Sequence, residues 1–486
     1  MLWTIFLLLI GLLLLVFLYC SRKRQSNEPP LDKGWIPWLG HALDFGKDAA
    51  NFLTRMKEKH GDIFTVRVAG IYVTVLLDPN SFDSVVCDTT FLEFTRIRNQ
   101  LIKKIFNLQL EEIDQASERR WMEWQFQGPS LVELNTTMKY HLQTVLLKTL
   151  HPLEWREDGL FDLCYSLLFK AGFLTLFERR VNPELVYNQF RQFDDLLAKL
   201  ARSSLKGDEK NSARLSRERL WELLSPDRQS EAESVSWQKS YHHFLQEQGV
   251  SAEMQNRALL LQLWTTQCNA GPAAFWLLGF LLTHPEAMDA VKSEIRGLSA
   301  LQDTSTQHPP IDPLETHRTP VLDSVLSETL RLTAAVMINR EVIQDKTLHM
   351  ADGRVFHLRR GDRVCLFPFL SPQMDPEIHS EPQMFKYDRF LNEDMSVKDH
   401  FYKDGRKLKY YTMPWGAGRN ACVGKHFAVT AIKQFVFLLL TRLDVELCDP
   451  QAKLPPIQSS RYGFGMLQPD GDLQIRYRMK KTQHQT

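Results

Sequence analysis

The chain has 486 residues, 44% of them hydrophobic and 24% charged, so it can bury a sizeable core without a disulfide scaffold. Its 59 Lys and Arg against 58 Asp and Glu leave a formal charge of +1, which excludes the basic surplus that a nucleic-acid binder needs. The seven cysteines, Cys20, Cys87, Cys164, Cys268, Cys365, Cys422 and Cys448, are scattered with neither disulfide-framework nor zinc-ligand spacing, which fits a reducing compartment.

Residues 1–20 (MLWTIFLLLIGLLLLVFLYC) carry no charge and are followed at once by Arg22, Lys23 and Arg24. Basic residues after the apolar run, rather than before it, favour an uncleaved transmembrane anchor over a signal peptide and predict a cytosolic body. Residues 21–40 form a basic and Pro-rich tether whose Trp35 and Trp38 suit a membrane interface. Residues 41–486 contain no low-complexity linker and read as one domain.

Ile63 to Leu77 is two β-branched runs about Ala69-Gly70, a predicted hairpin. Met138 to Leu150 and Leu160 to Leu176 have helical apolar spacing, whereas Ser203 to Ser236 is charged and reads as a mobile surface excursion. Glu253 to Thr283 is predicted to be one long central helix, kinked by Pro272, which cannot donate to the carbonyl of Cys268. Gln302 to Thr319 is a loop by composition. Strands are expected at Val355 to Leu358, Arg363 to Phe369 and near Leu473 to Tyr477, giving a mainly α class with a small β region.

Three motifs toward the C-terminus carry chemistry. Glu328 and Arg331, three apart, share a helix face, and Arg389 in a Pro-rich loop is placed to complete a buried ion network. Cys422 lies in Trp415-Gly416-Ala417-Gly418-Arg419-Asn420-Ala421-Cys422-Val423-Gly424, just before an apolar helical run. Gly416 and Gly418 let such a loop pass close under a flat macrocycle, Gly424 frees the turn into the helix, and a helix N-terminus favours thiolate. That arrangement suits a sulfur ligand to haem iron.

Together these motifs resemble the cytochrome P-450 superfamily over essentially the whole chain after the anchor at residues 1–20. The resemblance implies that fold, with a long central helix over haem b, a Cys422 thiolate as the metal ligand, and residues 41–486 as the haem-thiolate catalytic domain. Counting back from His284-Pro285, the acid and threonine that relay protons to dioxygen in many members are replaced by Cys268 and Asn269, neither of which serves as that relay near neutral pH. Sterol-hydroxylating members also place an asparagine there, so this feature alone does not separate isomerase from hydroxylase. Asn420 stands where most members have a cation for a haem propionate, leaving that role to Arg340, with Arg119, Arg120 or Trp121 as further candidates.

Longer stretches, among them Glu28 to Asp32, Phe52 to Thr65, Gln267 to Trp276, Thr319 to Ala335 and Tyr402 to Gly418, are similar to the branch of the superfamily that rearranges prostaglandin endoperoxides. That resemblance implies isomerisation of prostaglandin H2 to prostacyclin, without dioxygen or an obligatory reductase, by a monomeric protein of the endoplasmic reticulum membrane. Cys422 and Asn269 are the implied catalytic residues, and Lys104, Leu110, Asn269, Asn339, Arg340 and Arg363 the implied substrate contacts. Lys403, Arg406, Lys407, Lys409, Arg419 and Lys425 read as a solvated surface. The alternatives are a sterol hydroxylase and, from another class, a non-catalytic haem-binding sensor or carrier.

Overall fold

A computed structural model describes residues 2–20, 22–110, 113–149, 154–177, 181–225, 236–303 and 318–480. Helix α1 (Leu2–Cys20) contains no charged residue and its Trp3, Leu7 and Leu8 are exposed. Among the described residues no helix is long and apolar enough to cross a membrane. The 19 residues of α1 rise about 28 Å at 1.5 Å each, slightly less than an average hydrocarbon core of about 30 Å.

The predicted hairpin is present as β1 (Ile63–Val68) and β2 (Ile71–Leu76), turning on Ala69 and Gly70, both with positive φ. Helices α2 (Thr95–Phe106), α3 (Gln115–Gln125), α4 (Gly128–Thr149) and α5 (Leu160–Leu176) follow. The residues of α5 are apolar around nearly the whole circumference, and it is correspondingly buried on nearly all sides. Helix α6 (Pro183–Arg202) instead buries one stripe, with Val186, Phe190, Phe193 and Leu197 inside.

The polar stretch after Ser203 departs from expectation. Gly207–Leu224 forms helix α7, which packs Ala213, Ser216, Leu220 and Leu224 inward while its charges face water. Their spacing of three and four residues is that of a helix stripe, diluted by the charges between them. Residues 226–235 of that stretch, and 304–317 of the expected loop, lie outside the described residues; the helix before the latter runs to Asp303.

Helix α8 (Trp237–Glu247) precedes the central segment, which is two helices rather than one: α9 (Ala252–Gln267) and α10 (Ala270–Thr283). The break falls at Cys268-Asn269, where Pro272 withholds the N–H that would have bonded Cys268. Helix α5 crosses tightly here. A Cβ on Gly271 would lie 2.5 Å from the Tyr165 ring, and one on Gly172 would lie 2.4 Å from the Gln267 side chain, so glycine is what permits the approach.

Helix α11 (Pro320–Thr333) leads into β3 (Ala334–Val336) and β4 (Ile338–Val342). β5 (Arg363–Leu366) pairs antiparallel with β4 and parallel with β2, which makes the small sheet beside the helical body. Val355–Leu358 is a strand, as predicted. Helix α12 (Lys425–Arg442) buries Phe427, Phe435, Val436, Leu439 and Leu440 in the main core. β6 (Phe464–Met466) pairs with β3, and β7 (Gln474–Met479) ends the described fold. The main core joins α4, α5, α6, α9, α10, α11 and α12 around the helix break.

Candidate active site around Cys422

The loop before α12 is closed by the Cys422 N–H donating to the Trp415 carbonyl at 2.9 Å. Gly416 and Gly418 have φ of +67° and +63°, and a Cβ on Gly418 would meet Val86 Cγ1 at 2.7 Å. Gly424 has an ordinary φ of −84°, and a Cβ there would meet no protein atom within 4 Å, so protein packing does not demand glycine at this position.

Cys422 is exposed, but its free surface opens into two adjoining cavities of about 280 and 840 Å³. Protein atoms still crowd the sulfur. Their burial of it pushes the thiol up, opposed by the Gly424 N–H and by Arg119, so the protein surroundings alone do not produce the thiolate expected from helix position. A bound metal removes such a proton outright.

Arg340 lines both cavities. Strand alternation sends Ile338 and Arg340 to the cavity and Asn339 to the other side, in register with the buried Cys365. Arg340 is 5% exposed, donates to the Asn339 carbonyl at 2.9 Å, lies over the Phe94 ring, and has no carboxylate partner among the described residues. Burial lowers its pKa. A buried guanidinium without an anion, on the wall of a cavity floored by a thiol, matches what the carboxylate edge of a haem requires. The residues present therefore fit that group.

Asn269 also lines the smaller cavity, with the apolar Ala270, Ala273, Leu330 and Val336. Its Oδ1 accepts the Met466 N–H at 3.0 Å. That bond fixes the orientation of the amide and leaves Nδ2 as a donor with no partner among the described residues. Gly465 has a φ of +93°, and a Cβ on it would sit 2.6 Å from Asn269 Oδ1. Cys268, by contrast, is buried and its thiol is pushed well up by desolvation.

Other expected residues lie elsewhere. Lys104 donates to the Ala201 carbonyl of α6 at 2.6 Å, tying α2 to α6 instead of reaching a ligand. Leu110 lines a separate cavity of about 420 Å³ with Lys103 and Gln100. Arg363 reaches Gln100 at 3.3 Å and lines neither cavity at Cys422, because it is in register with Glu341, on the face of the sheet opposite to Arg340. Arg119 lies on the larger cavity and donates to the Ala421 carbonyl and Glu123. Arg120 lies there too, held by Ser117. Trp121 stacks within an aromatic group of Trp237, Tyr241 and Phe244 and lines neither cavity.

Glu328, Arg331 and Arg389 do come together. Both guanidinium groups donate to the fully buried Glu328 carboxylate at 2.7–2.9 Å, and their remaining N–H groups serve the carbonyls of Gln373, Pro382, Ser380 and Met384. Of the basic surface residues, Lys403 is not at the surface at all; it pairs with buried Asp375 at 2.7 Å. Sequence reading missed Phe94, Gly465 and Met466, and also a polar wall on the larger cavity where Arg98 and Tyr241 both donate to Glu118 at 2.9 Å.

The Cytochrome P450 family model matches residues 241–475. The chain is 52% identical over 480 residues to a protein of Rattus norvegicus named prostacyclin synthase, covering 94% of this chain and 95% of that one. It is 43% identical over 473 residues to the 7-alpha-hydroxycholest-4-en-3-one 12-alpha-hydroxylase of Oryctolagus cuniculus, with 94% and 95% covered. Among solved structures, the retinoic acid bound cyanobacterial CYP120A1 superposes with a TM-score of 0.72 at 21% identity, covering 94% of this chain and all of that one, a likeness of fold.

Proposed function

We propose that this chain, which belongs to the cytochrome P450 family, isomerises prostaglandin H2 to prostacyclin at a haem held by Cys422. Its 52% identity to prostacyclin synthase against 43% to a sterol hydroxylase supports the isomerase over the hydroxylase, and the carrier reading has no comparable support.

Cys422 would ligate the iron and Arg340 would pair with a propionate. When bound, haem supplies the one-electron chemistry that an oxygen–oxygen bond requires. The protein's part is to decide how the endoperoxide sits. Asn269 Nδ2 is a fixed, neutral donor, so it binds one oxygen of the substrate and leaves the other to face the centre. Ala270, Ala273, Leu330 and Val336 exclude water and accept the substrate's hydrocarbon. Among the described residues no carboxylate lines the smaller cavity, so its walls hold no acid to deliver a proton to the substrate oxygens. The carrying observation is the Asn269 amide, locked by Met466 and lining the same cavity as Cys422.

The protein is read as anchored through residues 1–20 in the endoplasmic reticulum membrane, monomeric and independent of a reductase. The charge-free run of residues 1–20, followed by Arg22, Lys23 and Arg24, supports that anchoring. Purified protein given prostaglandin H2 anaerobically, with no reductase, is expected to yield prostacyclin, measured as its hydrolysis product. Turnover that appears only with dioxygen and an electron donor would refute the isomerase.

A further inference from the structure

We infer that Asp194, on α6, is a positioning residue that sets the placement of the Asn269 amide by fixing the C-terminal segment on which that amide rests. The inference rests on the role proposed for Asn269.

Asp194 is fully buried, and each of its acceptor atoms is engaged. Oδ1 accepts from Arg461 Nη2 at 3.0 Å and from the Trp264 indole at 3.0 Å. Oδ2 accepts from Gln468 Nε2 at 2.8 Å and from Arg191 Nη1 at 3.3 Å. Its own carbonyl accepts Arg461 Nη1 at 3.0 Å. Arg461 and Gln468 bracket β6, so one carboxylate grips both ends of the strand that carries Gly465 and Met466. Through Trp264 the same carboxylate holds α9, four residues before the break.

The consequence for Asn269 is geometric. Its oxygen is bonded to Met466 N–H, and Gly465 lies so close that a methyl group would overlap that oxygen. The amide therefore moves with β6. A carboxylate buried this fully is costly unless its partners are all in place, so the network either holds β6 in one position or releases it. The Trp276 indole donates to the Leu467 carbonyl at 2.7 Å, so one tie persists when Asp194 is altered, and loss of the clamp loosens the strand without freeing the whole segment.

The test has two arms on the full-length haem-loaded protein, with haem absorbance and Tm as checks of folding. In the first, amide hydrogen exchange is measured for the peptide containing Gly465 and Met466. Asp194→Asn is expected to speed its exchange at least about tenfold while peptides of α12 stay unchanged. Unchanged exchange at Met466 overturns the clamp, whatever the protein's reaction is. In the second arm, Asp194→Asn and Asn269→Ala are combined and the product ratio from prostaglandin H2 is read. Asp194→Asn is expected to change the ratio at least about threefold in the parent and by less than about 1.5-fold alongside Asn269→Ala. Equal changes in both backgrounds overturn action through Asn269. If Asp194→Asn does not accumulate as folded protein, Gln468→Met removes that side chain's ties to Asp194 and Arg191, leaves the Asp194–Arg461 pair intact, and carries both arms.

Discussion

The Tyr165 hydroxyl donates at 3.3 Å to the Cys268 carbonyl, the acceptor that Pro272 leaves without its helical partner. One aromatic residue on α5 thus satisfies the gap opened by a proline on α10, and the central segment can break beside the cavity without burying an unpaired carbonyl. Tyr165→Phe is expected to cost about 1–3 kcal/mol in chemical denaturation, the penalty of an unsatisfied buried polar group. Combining it with Pro272→Ala, which restores the N–H, is expected to recover most of that loss. Additive losses in the double variant would show that the pairing is not what stabilises the break.

Asn269→Ala removes the only fixed donor proposed for the substrate while leaving Cys422 and Arg340 in place. Haem content should remain within experimental error of the parent, and the fraction of prostacyclin among the products should fall about tenfold, the scale of one hydrogen bond of about 1.4 kcal/mol. Asn269→Asp supplies acceptors only and should behave like the alanine variant. The measurement is product distribution by mass spectrometry alongside haem absorbance.

Arg340→Leu should weaken haem retention about 10- to 100-fold, as expected for losing a charge-assisted hydrogen bond worth about 1.5–3 kcal/mol. Haem transfer to an apo-acceptor protein measures this. Lys104→Ala, whose nitrogen serves the Ala201 carbonyl, should leave both haem retention and product ratio unchanged.

Acid and alkaline stability should share one pair. Burial raises the Asp375 carboxyl, but the hydrogen bond and charge of Lys403, with Lys57 behind it, more than offset this and hold it below the usual carboxylate range. Lys403 is lowered by burial and raised further by Asp375, ending above the usual ammonium range. The depressed acid contributes stability that is complete above its unfolded value of about 3.9 and is lost as pH falls through the folded value. The raised base contributes stability that is complete below its unfolded value of about 10.4 and is lost as pH rises through the folded one. Asp375→Asn should therefore flatten the acid limb of Tm against pH and lower stability at neutral pH by about 3 kcal/mol, since buried Lys403 loses its hydrogen-bonded carboxylate and keeps only the charges of Asp62 and Asp78 nearby.

The residues legible in sequence were those whose neighbours in the chain define them. The glycine-flanked Cys422 loop, the Glu328 and Arg331 spacing and the position of Pro272 each carry their reason within a few residues. Period-two alternation in β4 separates Arg340 from Asn339, and that signal was available without coordinates. The contribution of Gly465 and Met466 was not, because it arises from a strand reaching a helix 197 residues earlier in the chain. Lys104 and Arg363 were suggested by resemblance alone; nothing local to either tells that one bonds α6 and the other Gln100. Asp194 is one acid among several on an amphipathic helix with Arg191 three residues before it, and only the fold delivers Arg461, a glutamine and an indole to it.

The dependence of Asn269 on Met466 also bears on how selectivity could be transplanted. A chimera that imported the central segment alone from a hydroxylating relative would seat its residue at position 269 against a foreign backbone. Donor and rest would have to be exchanged as a unit, residues 252–283 together with residues 461–468, for catalytic preference to travel with the graft.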